Sequence, residues 1–373
     1  MEPYSPEHLP LKSIDWEMHI PLIGKANAAL ARYDGILLGI INPQVLLSPL
    51  TVQEAVISSR IEGTQASLED VLQYEAEFEG PYKKGGEEDD RINDIHEIIN
   101  YRKAMSAAVE KLGTHPVTVN MIRELHQILL AGVRGRSKDP GELRRIQNYI
   151  APPGTPIERA TFVPPSPPQI MDALSNWEVY LHGEEKDPLV QLAIVKAQFE
   201  LIHPFLDGNG RIGRMLVPLI LYNKKLLSSP MFYISAYLER NRDVYYQRLR
   251  GISQTGDWNS WISFFLQAMI EQANENAWKA KAIIELYNEM KQDVPRIVPS
   301  KYSIQVIDTM FTSPIFNSRY FAKKSHIPKE STAWILRDLK DSGILKVLRE
   351  GRGRRPTSFI FPRLIDITEK TGI

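Results

Sequence analysis

The sequence predicts a mainly α protein with a small β-hairpin flap in its middle and a winged helix-turn-helix domain at its C-terminal end. Three observations predict it. Apolar residues recur at helical spacing over most of the first 280 positions. One stretch, 140–168, breaks that pattern with eight prolines, which helix interiors exclude. Beyond residue 301 the pattern becomes three short helices followed by two strand-like runs joined by a basic, glycine-bearing turn.

The elements follow in order. Residues 1–82 read as mostly helical, with apolar-periodic stretches at 26–41 and 52–61. The segment 35–53 is uncharged, but Asn42, Pro43, Gln44 and Pro49 interrupt it. It therefore predicts two buried helical pieces, not a membrane span. The charge-dense run KKGGEEDDR, 83–91, predicts an exposed connection. Helical patterns then cover 92–112, 118–131, 168–181, 189–202 and 210–226. Within the proline-rich stretch, 148–150 and 161–163 are strand-like around a Pro/Gly turn, which predicts the flap. Helices are expected at 302–311, 318–324 and 329–341, the last closed by Gly343, and then strands at LKVL and TSFIF. The expected domains are 1–85, 90–275, a linker helix at 276–300, and 301–373.

Composition limits the chemistry. With 373 residues, 43% hydrophobic and 24% charged, the chain reads as an ordinary globular protein of two or three domains. Zero cysteines exclude a thiol nucleophile, a disulfide framework and cysteine-ligated zinc or iron–sulfur clusters. The start, MEPYSPEH, lacks the positive flank and apolar run of a secretory signal, so the cytoplasm is the expected compartment. Formal charge is zero overall, yet 301–363 holds thirteen basic and five acidic residues, a local balance of +8. That asymmetry predicts different partners for the two ends.

The segment HPFLDGNGRIGR, 203–214, concentrates the chemistry. An apolar helix ends at His203-Pro204, a tight loop holds Asp207, Gly208, Asn209 and Gly210, and a new helix starts with Arg211 and Arg214 one turn apart. Glycines let backbone N–H groups converge, and the new helix offers its positive end, which together suit phosphate. The two arginines can fork onto phosphate oxygens. Asp207 is a hard oxygen ligand for phosphate-bound Mg²⁺, and His203 is a base of near-neutral pKa on the rim. No GxxxxGK[ST] loop occurs, His96-Glu97 lacks the second histidine of HExxH, and His126, on an apolar helix, reads as structural.

This segment resembles the signature of the Fic (filamentation induced by cyclic AMP) family, H-x-F-x-D/E-G-N-G-R-x-x-R, with every defining position present. PGELRRIQNYIAP and ATFVPP resemble that family's flap, and the likeness covers about 90–275. The resemblance implies a Fic-type helical core that transfers AMP from ATP to a Ser, Thr or Tyr hydroxyl of a target protein. It implies His203 as the base, Asp207 as the Mg²⁺ ligand, and Phe205 as an inward anchor. Gly208, Asn209 and Gly210 would cradle phosphates, continuing into Ile212 and Gly213. Arg211 would contact the β-phosphate side and Arg214 the γ-phosphate. Tyr245 and Tyr246 match a pair that lines adenine, and Thr161 and Phe162 would clamp a target segment by strand addition.

Upstream, Ser58 and Glu62 lie four apart on one helix face, with Gly63 as a C-terminal cap. A carboxylate in a last helical turn opposes the helix dipole and calls for a nearby cation. The motif resembles the family's inhibitory S/T-x-x-x-E-G/N. That implies Glu62 pairing with Arg214 in cis, blocking the γ-phosphate site. Within the same reading Glu62 could orient water, so the site could also remove AMP. The alternative from another class is a nucleic-acid-binding regulator. Its wing REGRGRRP could track a phosphate backbone, although Asp338 and Asp341 would repel it and such domains also bind proteins. Family habit implies a homodimer.

Overall fold

The computed structural model describes residues 2–78, 90–151, 154–298, 301–353 and 356–370. The helices, in chain order, are α1 (Trp16–Leu38), α2 (Pro43–Leu46), α3 (Ser48–Ile61), α4 (Leu68–Glu77), α5 (Asp90–Leu112), α6 (Val119–Leu129), α7 (Ile170–His182), α8 (Pro188–Ile202), α9 (Asn209–Asn223), α10 (Ser235–Arg240), α11 (Arg242–Thr255) and α12 (Trp258–Ile297). Then come α13 (Ser303–Thr312), β1 (Ile315–Asn317), α14 (Ser318–Ser325), α15 (Lys329–Asp341), β2 (Lys346–Arg349), β3 (Ser358–Ile360) and α16 (Pro362–Glu369). No helix among the described residues is long and apolar enough to cross a membrane. The uncharged 35–53 segment forms the end of α1, all of α2 and the start of α3 in place of two buried pieces, because Pro43 opens a new helix at its first turn and leaves Leu38 and Ile41 exposed before it.

The chain divides into two units. The first comprises 1–34, 57–62 and 100–274. Its centre is α8. Asp187 caps that helix by accepting from the N–H groups of Leu189 and Val190 at 2.9 and 3.0 Å, and Pro188 stands where no N–H is needed. Apart from Pro188 and Glu200 every residue of α8 is buried, so the helix is covered on all sides. Trp177 and Trp261 pack against it, and each indole N–H donates 2.8 Å to one of its carbonyls, Val195 and Ala193. Neighbouring α9 is nearly as buried.

The second unit comprises 35–56, 63–99 and 275–373. Among the described residues its strands are ordered β1-β3-β2, all antiparallel, with Phe316 opposite Phe359 and an irregularity between Val347 and Arg349. Ser67 opens α4 with a capping box closed by Asp70. Asn317 accepts from the N–H of Tyr320 to cap α14 and donates 2.5 Å to the carbonyl of Ala76. Arg363 forks onto Glu289 with two 2.6 Å contacts.

Two elements differ from the sequence reading. β1 was not expected, because its three residues show no alternation and pair only through β3. Nor was α16, although Pro362 at its first turn and buried Leu364, Ile365 and Thr368 give it a helical face. In the flap, the two strand-like runs meet through one isolated bridge, Ile150 with Phe162, in place of a ladder. Residues 276–297 continue α12. The expected connection at 83–89 and Arg354 and Arg355 of the wing lie outside the described residues.

Candidate active site

A cavity of about 730 Å³ in the first unit gathers Glu62, just past the end of α3, with residues from the flap, α8, α9 and α11, including Thr161, Phe162, Arg214 and Tyr246, and His203 after α8. That volume lies in the range of small-molecule sites. The polypeptide reaches it through the end of α8. The proline after His203 cannot extend the helix and disfavours the α region for its predecessor, and His203 takes the left-handed conformation, φ 49° and ψ 59°. For a residue with a Cβ that conformation is strained.

His203 Nδ1 lies 3.3 Å from the carbonyl oxygen of Glu200. In the tautomer that donates there, Nε2 is left free to accept a proton. Burial lowers the His203 pKa below its ordinary value; Arg144 pushes the same way, while Glu62 and Glu200 oppose. The ring is therefore neutral at pH 7, the form a base requires.

The turn after His203 is held from inside. Asn209 accepts from the Phe205 N–H and donates to the Phe205 carbonyl, both at 2.9 Å. Its side chain thus braces the turn instead of facing a ligand. Phe205 is buried, as an inward anchor would be, and stacks on His126 with ring centroids 3.8 Å apart. His126 also lies 2.9 Å from the Asp207 carbonyl and accepts from the Gly141 N–H at 2.8 Å. Burial lowers its pKa to about 4, against opposing contributions from Asp207. Gly208 opens α9 at φ 79°, a conformation that suits glycine, with His126 and Leu129 against its Cα. Ile212 is buried in α9, and Gly213 lies so close to Glu200 that a Cβ would stand 2.9 Å from its carboxylate.

Arg214, 1% exposed, is engaged through Nε and Nη2. Its Nε donates to Ser58 Oγ at 2.8 Å, and Nη2 donates to the Ser58 carbonyl at 2.8 Å and to Glu62 Oε1 at 2.7 Å. Glu62 Oε1 rests on Gly210 so closely that any Cβ there would overlap it. Burial raises the Glu62 pKa, but the charge and hydrogen bond of Arg214, with help from Arg211 and His203, reverse the effect and leave it below the ordinary carboxylate value. The end of α3 has two further ties that the sequence did not reveal: Arg242 donates to the Ile61 carbonyl at 3.0 Å, and Arg60 lies 3.6 Å from Glu239.

Asp207 is partly exposed and lies 3.4 Å from Arg211. One carboxylate oxygen accepts from the Gly208 N–H, and the other lies against Gly135. Among the described residues no three His, Asp or Glu side chains form a closed metal cluster. A lone, partly solvated carboxylate fits Mg²⁺ of the kind that takes one protein ligand and completes its shell with phosphate oxygens and water.

Tyr245 and Tyr246 both border the cavity, on different terms. The Tyr245 hydroxyl is buried against Glu200, at 2.5 and 2.7 Å, and Lys196 donates to it at 3.0 Å and to Glu200 at 2.6 Å. Tyr246 is less buried and carries Arg242 over its ring at 5.8 Å. The Lys196–Glu200–Tyr245 cluster escaped the sequence reading; its signal was a Lys–Glu pair four apart in an otherwise apolar helix.

The profile of the Fic/DOC family N-terminal region matches residues 20–110, and that of the Fic/DOC family itself matches 116–221. The chain belongs to the Fic/DOC family. It is similar to Protein adenylyltransferase Fic of Drosophila grimshawi, 27% identical over 218 residues, and to Protein adenylyltransferase fic-1 of Caenorhabditis briggsae, 30% identical over 113 residues. The first alignment covers 56% of this chain and 38% of the relative; the second covers 29% and 20%. The chain thus spans under two-fifths of those relatives' length. A solved Fic family protein from Desulfovibrio desulfuricans G20 shares the fold with a TM-score of 0.55 at 17% identity, covering 96% of this chain and 98% of that one.

Proposed function

We propose that this member of the Fic/DOC family is a protein adenylyltransferase held in check by its own Glu62. The observation that carries the reading is the turn from His203 to Arg214, lining a nucleotide-sized cavity, with the Glu62 carboxylate seated on Gly210 and Arg214. The names of the relatives support the same class.

In this reading a target Ser, Thr or Tyr hydroxyl gives its proton to His203 Nε2 as its oxygen attacks the α-phosphorus of ATP. The bond to the bridging oxygen breaks, pyrophosphate leaves, and AMP remains esterified to the target. The N–H groups at the start of α9 and the Arg211 and Arg214 guanidiniums would hold the phosphates, so positioning and fixed charge supply most of the acceleration. Asp207 would hold Mg²⁺, which when bound neutralises phosphate charge. Thr161 and Phe162 would clamp the target segment from the flap, although the Thr161 N–H and both main-chain groups of Phe162 are engaged by Ile150. Tyr246 would border the base.

Glu62 acts as a surrogate anion. It takes the Arg214 contact that a γ-phosphate would take, and ATP must displace it to bind productively. Because Glu62 stays ionised beside His203, a second direction of the same site, removal of AMP by a water that Glu62 orients, follows from the same contacts. For the C-terminal region, α13 to α15 with the three-stranded sheet support a winged-helix reading. On α15, Arg337 and Lys340 each lie against a neighbouring aspartate, at 3.2 and 3.1 Å. That pairing favours a protein partner over nucleic acid, and a DNA mobility shift that weakens steeply with salt would reverse the preference.

Incorporation of label from α-labelled ATP and Mg²⁺ into the chain and into a lysate tests the main reading. Labelling by Glu62→Gly that is strong, and absent in Glu62→Gly/His203→Ala, is expected. Equal labelling with and without His203 would remove His203 as the base.

A further inference from the structure

We propose that Arg144 is the positioning residue of this site, its guanidinium fixing the main chain of the base His203 and both ends of the target flap at once. The proposal rests on the adenylyltransferase reading for its kinetic consequence, and on the geometry alone for the rest.

The residue lies in the proline-rich stretch, within the flap-like segment PGELRRIQNYIAP, where sequence alone assigns it no role of its own. It is 2% exposed, and among the described residues its side chain pairs with no carboxylate. Its partners are all backbone carbonyls. Nε donates to His203 at 2.9 Å; Nη2 donates to Pro165 and, at 3.4 Å, to Ile202; Nη1 donates to Ile146 at 3.4 Å. Its own N–H donates to the Pro204 carbonyl at 2.9 Å.

A buried guanidinium without a counter-ion is an expensive way to fill space, and an apolar side chain of similar volume would cost less. Its location offsets part of that cost. Ile202 ends α8 and His203 caps it, so Arg144 sits at the negative end of a helix whose last carbonyls have no intrahelical donor. The same contacts explain how His203 keeps its left-handed backbone, because the carbonyl that sets its ψ is held by Nε. Ile146 and Pro165 flank the flap on its entering and leaving strands, around the bridge of Ile150 with Phe162. One planar fork therefore spans the base and the element that delivers the acceptor hydroxyl, a geometry that a lysine ammonium cannot reproduce.

Arg144 has an electrostatic reach as well. The charged groups acting on His203 are Glu62 at the end of α3, Glu200 on α8, and Arg144 from the loop after α6; on α9, Arg214 is engaged by Glu62. Arg144 is the cation in that set that favours the neutral ring.

The test uses the full chain in the Glu62→Gly background, with Arg144→Lys and Arg144→Met added separately. AMP transfer to a protein acceptor is followed as kcat and KM for ATP. Both substitutions are expected to lower kcat about 100-fold while leaving the KM for ATP within about threefold. A kcat within about threefold of the parent in a folded variant, or a KM that rises in proportion to the loss, overturns the proposal. In parallel the His203 imidazole is titrated by NMR, which needs no turnover. Its midpoint is expected to move to higher pH in Arg144→Met and to stay near the parent in Arg144→Lys; an unmoved midpoint in Arg144→Met overturns the electrostatic part. If the Glu62→Gly parent itself transfers nothing, the enzymatic reading fails while the titration still decides on Arg144. Should Arg144→Met not fold, Arg144→Lys carries the kinetic test.

Discussion

The turn at 203–214 and the flap at 146–165 border the same cavity and are built on opposite terms. In the turn most polar side chains are hidden and engaged, Asp207 being the partly exposed exception. Asn209, Arg211 and Arg214 are 2%, 3% and 1% exposed, and Asn209 and Arg214 spend their hydrogen bonds on Phe205, Ser58 and Glu62. In the flap, Ile146, Tyr149 and Ile150 are 63%, 42% and 45% exposed, and one bridge joins the strands. The difference teaches how such a site divides its labour. On the proposed reading, the arginines that would meet a polyphosphate are fixed beforehand, where low dielectric strengthens each charge. On the same reading, the surface that would meet a protein offers exposed apolar side chains around the paired main chain of the flap.

If that division holds, damage to the turn should be severe and damage to the flap mild. The largest effect is expected from His203→Ala in the Glu62→Gly background. Transfer should fall by about 10²- to 10⁴-fold, the usual worth of a general base, with ATP affinity retained; affinity measured by calorimetry separates the two. Next, Glu62→Gly alone should raise initial transfer rates about 100-fold, since it frees Arg214. It should also lower stability without nucleotide by about 1–2 kcal/mol, because a buried cation loses its partner; the figure is discounted for Glu62's part exposure. ATP should restore the loss in a melting experiment.

A pH effect should come third, through His126 of α6, which braces the turn at Phe205 and Asp207. The unfolded chain protonates histidine near pH 6.5, whereas folded His126 resists until about 4. Between those values the unfolded state binds more protons, so stability falls as pH falls through the window. By pH 5 the expected loss from His126 is about 2 kcal/mol, checked by chemical denaturation at pH 7.5 and 5 and by a total loss smaller by about that amount in His126→Gln, where His203, its pKa also lowered by burial, still contributes. The smallest effect is expected at the flap. Tyr149→Ala or Ile146→Ala should lower kcat/KM for a protein acceptor about tenfold and leave ATP binding unchanged. A flap variant as damaging as His203→Ala would break the comparison.

The same contrast explains what the sequence disclosed. The turn was legible because its chemistry is local: twelve consecutive residues carry the base, the carboxylate, the glycines and both arginines. Glu62 was legible for a physical reason too, a carboxylate at a helix end that needed a cation. The role of Asn209 was not, because its partner is the main chain of Phe205 and a cradle of N–H groups looks the same in sequence either way. The role of Arg144 left no trace for the same reason: carbonyls of residues 146, 165, 202 and 203 have no side-chain signature. Lys196 and Glu200 are an i,i+4 pair whose inward placement only the burial of α8 reveals. In the second unit β1 depended on β3, more than forty residues away, whereas α16 carried a readable start at Pro362.

The central claim is that this site transfers AMP and that Glu62 restrains it. The most direct measurement is intact mass and label retention after incubating Glu62→Gly and wild type with ATP labelled at the α- or the γ-phosphate. The account predicts that Glu62→Gly gains one or more AMP masses and retains only the α-label, with wild type far less modified. Retention of the γ-label, or equal modification of wild type and Glu62→Gly, would contradict it.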